Sequence, residues 1–136
     1  MRVFIDTNIL FSSILNPNST PFSAYCKAVT LPNKGIISDQ NITELRRVFN
    51  RKFPTKIQAL ESFLSIALLS LEVVHVPYEA ISDEIKIRDI TDRPILRAAI
   101  AANADVLLTG DKDFLESGIV HPTILTATEF VQKKFE

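Results

Sequence analysis

The chain has 136 residues, 46% of them apolar, enough for one domain core and too few for two domains of ordinary size. Fifteen Lys and Arg against sixteen Asp and Glu give a formal charge of −1, so no global basic field marks a polyanion partner, and any such site must be local or built with cations. The single cysteine, Cys26, excludes an intramolecular disulfide and fits a reducing compartment. With no secretory leader read at the N-terminus, and the most apolar stretch (63–76) interrupted by Glu72, the expectation is a cytoplasmic protein that does not cross a membrane.

Arg2–Ile5 reads as a short strand with Asp6-Thr7-Asn8 at its carboxyl end, and 9–15 as a short helix stopped by Asn16-Pro17-Asn18. Thr20-Pro21 supplies a cap and a first-turn proline for a helix through Val29. Residues 35–37 predict a second strand. Ser38 or Asp39 then caps a helix carrying Ile42, Leu45, Val48 and Phe49 at helical spacing, with Glu44 off that stripe. Pro54 opens a helix over 55–71 whose many leucines and isoleucines suggest heavy burial, and 73–76 predicts a third strand. Asp92-Arg93-Pro94 starts a helix that ends near Asn103; 104–108 is a continuous apolar strand of the kind a sheet covered on both faces uses, and Thr109-Gly110-Asp111 is its exit. A last strand around Thr123–Leu125 leads to a helix with a capping box, Thr126 and Glu129. The alternation predicts a single domain over 1–136, an α/β/α three-layer sandwich with a mostly parallel central sheet.

In such a sheet Asp6 and Asp111 leave the carboxyl ends of strands, where open α/β sheets collect ligands, while Glu44 and Asp92 project from nearby helices. Oxygen donors of this kind suit Mg²⁺ or Mn²⁺, and the two histidines, His75 and His121, have no zinc-like spacing. Carboxylates gathered so closely must bind cations or keep a proton, and a bound metal would activate water and neutralise charge on a phosphoryl oxygen, which points to phosphodiester hydrolysis. Each acid also has an ordinary structural alternative: Asp6 could open a turn, Glu44 could sit on a solvated helix face, Asp92 could be an N-cap, and Asp111 with Asp113 could belong to a polar turn. Asn8 could simply cap the helix that follows it.

The segments 3–8 (Val-Phe-Ile-Asp-Thr-Asn), Glu44-Leu45, Asp89-Ile90-Thr91-Asp92 before Ile95-Leu96, and 108–114 (Leu-Thr-Gly-Asp-Lys-Asp-Phe) occur in the order that resembles the PIN-domain family, metal-dependent nucleases that include toxins of toxin–antitoxin pairs. The resemblance covers nearly the whole chain. It implies Asp6, Glu44, Asp92 and Asp111 as the catalytic acids around one or two metals, with Asp113 adding a ligand or an outer contact, and Asp92 preferred over Asp89 because it directly opens its helix. Thr7, Asn8 and Thr109 would orient carboxylates or water. A ribonuclease leaving 5′-phosphate and 3′-hydroxyl ends, an antitoxin partner and a homodimer are further implications. The Thr-Gly-Asp-Lys-Asp-Phe form is closer to short stand-alone members described as toxin components than to the best-known toxins.

Arg46, Arg47, Arg51, Lys52 and Lys56 form the one basic concentration, and Arg47 and Arg51 share a helix face with Glu44. Arg47, Arg51, Lys52 and Arg93 are therefore the candidate nucleic-acid contacts, against the alternative of a solvated face with a Glu44–Arg47 ion pair. Phe49 and Phe53 fit a buried stripe better than a base-stacking platform. Two rival functions remain open at this level. One is a catalytically silent PIN-like module that binds protein or RNA; the other is an aspartyl-phosphate phosphohydrolase, disfavoured because Asn8 stands where its general acid would be.

Overall fold

The computed structural model describes residues 1–133. Five short strands, β1 (Arg2–Ile5), β2 (Lys34–Ser38), β3 (Glu72–Val74), β4 (Val106–Leu108) and β5 (Thr123–Leu125), make one sheet in the order β3-β2-β1-β4-β5. Every neighbouring pair is parallel, so the sheet is wholly rather than mostly parallel. Parallel strands need long crossovers, and helices supply them on both faces. On one face lie α1 (Thr7–Leu15), α2 (Thr20–Val29), α3 (Asp39–Lys52), α4 (Ile57–Ala67) and α7 (Ala127–Gln132); on the other are α5 (Arg93–Ala101) and α6 (Lys112–Leu115).

The strands divide their side chains between two cores by simple alternation. Val3, Ile5, Ile37, Val106 and Leu108 enter the core under the larger helical layer, while Phe4, Ile36 and Leu107 enter the one under α5. This is why the strands read as unbroken apolar runs. Gly35 is required by the first of these cores: a β-carbon there would lie 2.9 Å from both Leu71 Cδ2 and Val29 Cγ1.

Local chemistry sets the helix ends. Ser19, one residue before the expected cap, accepts from Phe22 N and starts α2, with Pro21 in its first turn. Ser38 caps α3 in a reciprocal box with Asn41, and the Thr126–Glu129 box starts α7 as the sequence predicts. After α5 the backbone turns at Asn103, whose φ of 56° is the left-handed conformation asparagine tolerates at a helix end.

Three expectations need correction. The helix expected over 55–71 is a 3₁₀ turn, Pro54–Lys56, followed by an α-helix that stops at Ala67. The chain must turn there so that Leu71 can return to the core beside Gly35, and Ile66 and Leu69 are left 71% and 85% exposed instead of buried. The third strand lies at Glu72–Val74, starting one residue and ending two residues earlier than expected, because its pairing with β2 runs from Ile36 opposite Glu72 to Ser38 opposite Val74. The polar turn considered around Asp111 to Asp113 is a short helix, α6, capped by the Asp111 carboxylate on Asp113 N. Between β3 and α5 lie two 3₁₀ turns, Ser82–Lys86 and Ile90–Asp92, and the first is held to the body through the buried Glu84 carboxylate, which accepts from Arg97 at 2.5 and 3.1 Å.

Candidate active site

β1 is the point at which the chain changes direction across the sheet, with β2 and β3 on one side and β4 and β5 on the other. Loops leaving β1 and β4 therefore diverge, and a crevice opens beyond their carboxyl ends. Asp6 follows β1 directly and Thr109 follows β4, and Asp6 N donates to Leu108 O at 2.9 Å across the junction.

Asp6 is buried, yet its carboxylate is well held. Thr7 N and Thr109 Oγ1 donate to it at 2.8 and 2.7 Å, and Asn8 Nδ2 does so at 3.3 Å. Burial nevertheless pushes its pKa up from 3.8 to about 6, against the pull of the Thr109 and Thr7 hydrogen bonds and with help from the charges of Glu44 and Asp111. Asn8 is doubly occupied: its carbonyl oxygen accepts from Gly110 N at 3.1 Å while its amide faces Asp6, so it ties the two strand ends together. Such an amide has no proton to deliver as a general acid, which removes the chemical basis for a phosphohydrolase of the aspartyl-phosphate kind.

A second chain of hydrogen bonds positions Glu44. Ser38 N and Ser38 Oγ donate to Asn41 Oδ1 at 2.7 and 2.8 Å, Asn41 Nδ2 donates to Thr7 Oγ1 at 2.7 Å, and Thr7 Oγ1 donates to Glu44 Oε2 at 3.3 Å. Asn41 is fully buried and does more here than any residue the sequence reading overlooked. The overlooked signal is the box itself, which has asparagine at the position where glutamate or glutamine is usual; its short amide can turn inward.

Asp6, Glu44, Asp92 and Asp111 line one cleft of about 210 Å³, with Phe11, Val48 and Ile95 as its apolar walls and Lys52 at its edge. All four acids named from the sequence are thus brought together. Asp92 stands at the start of α5, but its side chain makes no capping hydrogen bond, so the N-cap alternative does not hold. Instead it meets Asp111. Burial, the hydrogen bond to Asp111, and the charges of Asp111, Asp89 and Asp6 together push the Asp92 carboxyl to about 8. Two carboxyls so placed share a proton unless a cation takes its place.

Asp89 is less peripheral than its position before the helix suggests. Carboxylate oxygens of Asp89, Asp92 and Asp113 lie within 4.8 Å of one another. The first is already held by Thr91 N and Oγ1 at 2.9 and 2.7 Å, and Asp113 is paired with Arg88 at 2.9 Å. Asp92 thus joins an inner set, facing Asp6, to an outer set with a resident guanidinium. The all-oxygen donor set of the inner cleft fits a hard divalent cation.

The candidate cations separate. Lys52 borders the acid cleft, and Arg47 lines an adjoining groove that shares Glu44 as a wall. Arg93 turns aside and donates to Ile87 O at 3.0 Å, bracing the loop before α5. Arg51 is exposed on α3 and lines neither depression. Among the described residues no Glu44–Arg47 ion pair forms; Arg46 pairs with Glu61 of α4 at 2.9 Å instead. Phe49 and Phe53 stack with Phe11 at centroid distances of 5.4 and 5.5 Å, as a buried stripe would.

No helix among the described residues is long and apolar enough to cross a membrane. No curated protein sequence matches the chain significantly. Among solved structures it resembles the VapBC2 complex of Rickettsia felis bound to a DNA fragment of its promoter, with a TM-score of 0.69 and 22% identity over 93% of this chain and 98% of that one. It also resembles VapC20 of Mycobacterium tuberculosis, a toxin that cleaves the sarcin-ricin loop, with a TM-score of 0.59 and 16% identity over 87% of this chain and 96% of that one. These likenesses establish the fold. The model of the PIN domain matches residues 2–113, a span holding every acid of the cleft, and the chain accordingly belongs to the PIN-domain family.

Proposed function

We propose that this protein is a Mg²⁺- or Mn²⁺-dependent endoribonuclease, the toxin of a toxin–antitoxin pair, acting in the cytoplasm as a homodimer. The observation that carries the reading is the convergence of Asp6, Glu44, Asp92 and Asp111 on one cleft at the crevice of the sheet. Family membership supports nuclease chemistry, and the toxin named in one structural relative and the VapBC complex named in the other support the biological role and an antitoxin partner.

Asp6, Asp92 and Asp111, with Glu44, would hold the cation; Asp113, whose Oδ1 accepts from Arg88, would contribute through its other oxygen or as an outer contact. When bound, such a cation neutralises charge on a phosphoryl oxygen and lowers the pKa of water. The protein supplies the rest. Thr109, Thr7 and Asn8 fix both oxygens of Asp6, and the Asn41–Thr7 relay orients Glu44. Lys52 gives an approaching phosphate a positive partner at the rim, and Phe11, Val48 and Ile95 reduce bulk water around the reacting bond. A cation held by these acids would take the place of the proton that burial and the contact with Asp111 favour on Asp92. In-line hydrolysis leaving 5′-phosphate and 3′-hydroxyl ends is the outcome we assign.

The test incubates labelled single-stranded RNA with wild type and Asp6→Asn, each with Mn²⁺, Mg²⁺ or EDTA. Cleavage by wild type alone, abolished by EDTA, is the expected result. Equal cleavage by both proteins would mean a contaminant. Absence of cleavage together with absence of Mn²⁺-dependent thermal stabilisation would favour a binding module without catalysis.

A further inference from the structure

The acid cleft is not an isolated depression. On one side it shares Asn8 with a groove of about 400 Å³ between α1, the start of α2 and the start of α7; on the other it shares Glu44 with a groove of about 490 Å³ along the first turns of α3. Each outer groove thus shares a wall residue with the acid cleft, and the linings of the two differ chemically. The Asn8-side groove holds no charged residue: Ser12, Thr20 and Thr128 offer hydroxyls above the apolar Ile9, Pro21 and Ala127. The Glu44-side groove carries one cation, Arg47, beside the neutral donors Gln40, Thr43 and Thr91 and the acids Asp39 and Glu44.

We propose that the grooves are two substrate subsites of one track, in which single-stranded RNA crosses the cleft with its flanking nucleoside in the Asn8-side groove and its flanking phosphate against Arg47. The inference rests on the ribonuclease reading above and adds the residues that hold the strand on either side of the scissile bond. An uncharged groove with hydroxyl donors and acceptors over apolar walls suits a ribose and base, whose 2′-hydroxyl both donates and accepts. It gives a phosphate no countercharge. In the other groove the carboxylates alone would repel a phosphodiester, and Arg47 is the group that reverses the local sign. The Asp39 carboxylate is already engaged there, accepting from Gln40 N at 2.9 Å and lying 2.6 Å from His75 Nδ1. Thr43 and Gln40, exposed one and two helical turns before Arg47, are placed to meet the sugar or base attached to that phosphate.

The test uses the full chain carrying Asp6→Asn, so that binding is measured without cleavage, and a fluorescein-labelled single-stranded RNA ten nucleotides long read by anisotropy. Arg47→Ala and the groove-filling Thr128→Trp should each weaken binding roughly five- to tenfold, as loss of one such contact does, and multiply in the double variant because the two sites are separate. Arg47→Ala should also lower the slope of log Kd against log salt by roughly 0.7, the single-strand value for one lost phosphate contact, while Thr128→Trp leaves it unaltered. Lys34→Ala, which removes the same charge at the opposite end of β2, is the control and should change Kd less than twofold. In the cleaving protein the loss appears in KM more than in kcat. Melting curves check folding, and Thr20→Phe fills the same groove if Thr128→Trp is unstable. RNA bound equally well by the parent and by Arg47→Ala, or by the parent and a folded groove-filled variant, would overturn the track while leaving the ribonuclease intact. A wild type that does not cleave and a parent that does not bind would bring down both.

Discussion

Acids of the same kind behave in opposite ways in two regions of this molecule. Glu84, Glu72 and Glu61 each face an arginine, and the hydrogen bonds from Arg97, Arg2 and Arg46 hold all three carboxyls below their ordinary range. Asp6 and Asp92 face other carboxyls, and burial with like charges raises both. The first arrangement ties elements together: Arg97 anchors the 77–92 segment, and Arg46 joins α3 to α4. The second destabilises the cation-free fold and is retained where a ligand of opposite charge would relieve it. A perturbed carboxyl therefore has opposite causes in the two regions: an arginine partner lowers it, and burial among other acids raises it.

Asp6→Asn should break the comparison most visibly. Ribonuclease turnover should fall on the order of a thousandfold, ~4 kcal/mol of transition-state stabilisation, because the buried oxygen at the centre of the site is lost. The same variant should melt no lower than wild type in EDTA, since it removes a buried charge from a repelling set; a marked drop in its melting temperature would mean that Asp6 is primarily a structural cap. For the structural acids, Arg97→Ala leaves Glu84 buried without its partner and should cost about 3 kcal/mol in urea denaturation, the usual penalty for half of a buried pair. A loss below 1 kcal/mol would show that the 77–92 segment does not depend on that contact.

Stability should also respond to pH in a way that identifies the cleft. A carboxyl raised in the folded state contributes stability that is fully present below its unfolded pKa and is lost as pH rises through its folded value. In EDTA the melting temperature should therefore fall between about pH 4 and pH 8, through the Asp6 value of about 6 and the Asp92 value of about 8. Asp92→Asn should flatten the upper part of that fall, and saturating Mn²⁺ should reverse it. A curve that rises steadily across this window would contradict the raised values. The smallest effect belongs to the exposed pair: Arg46→Ala should change stability by less than about 1 kcal/mol, because both partners stay largely in water. Comparing Arg46→Ala with Arg97→Ala in one denaturant series separates burial from pairing as the source of strength.

Much of the frame was legible because its signals are local. The apolar run after Met1, the Ser38 box and the Thr126 box depend on residues within a few positions of one another, and the strands and helices that they predict are present. Elements fixed by distant contacts were harder to read. The end of α4 depends on Leu71 meeting Gly35, 36 residues earlier, so its leucines read as buried when Leu69 is open to solvent. The 3₁₀ turn at Ser82–Lys86 has no periodicity and is held by Arg97, which lies beyond it in the chain.

Sequence alone carries the alternation of strand and helix and the parallel sheet that follows from it, and chain order with right-handed crossovers sends Asp6 and Asp111 to the same edge. Tertiary structure decided which groups act on those acids. It placed Asn41 behind Thr7, gave Asp113 to Arg88, set Asp92 against Asp111 and put Lys52 at the rim of the cleft while leaving Arg51 outside. The physical reason is range. Helix and strand propensities act over a few residues, whereas desolvation, hydrogen bonding and Coulomb interaction depend on distances in space, which exist only after the chain has folded.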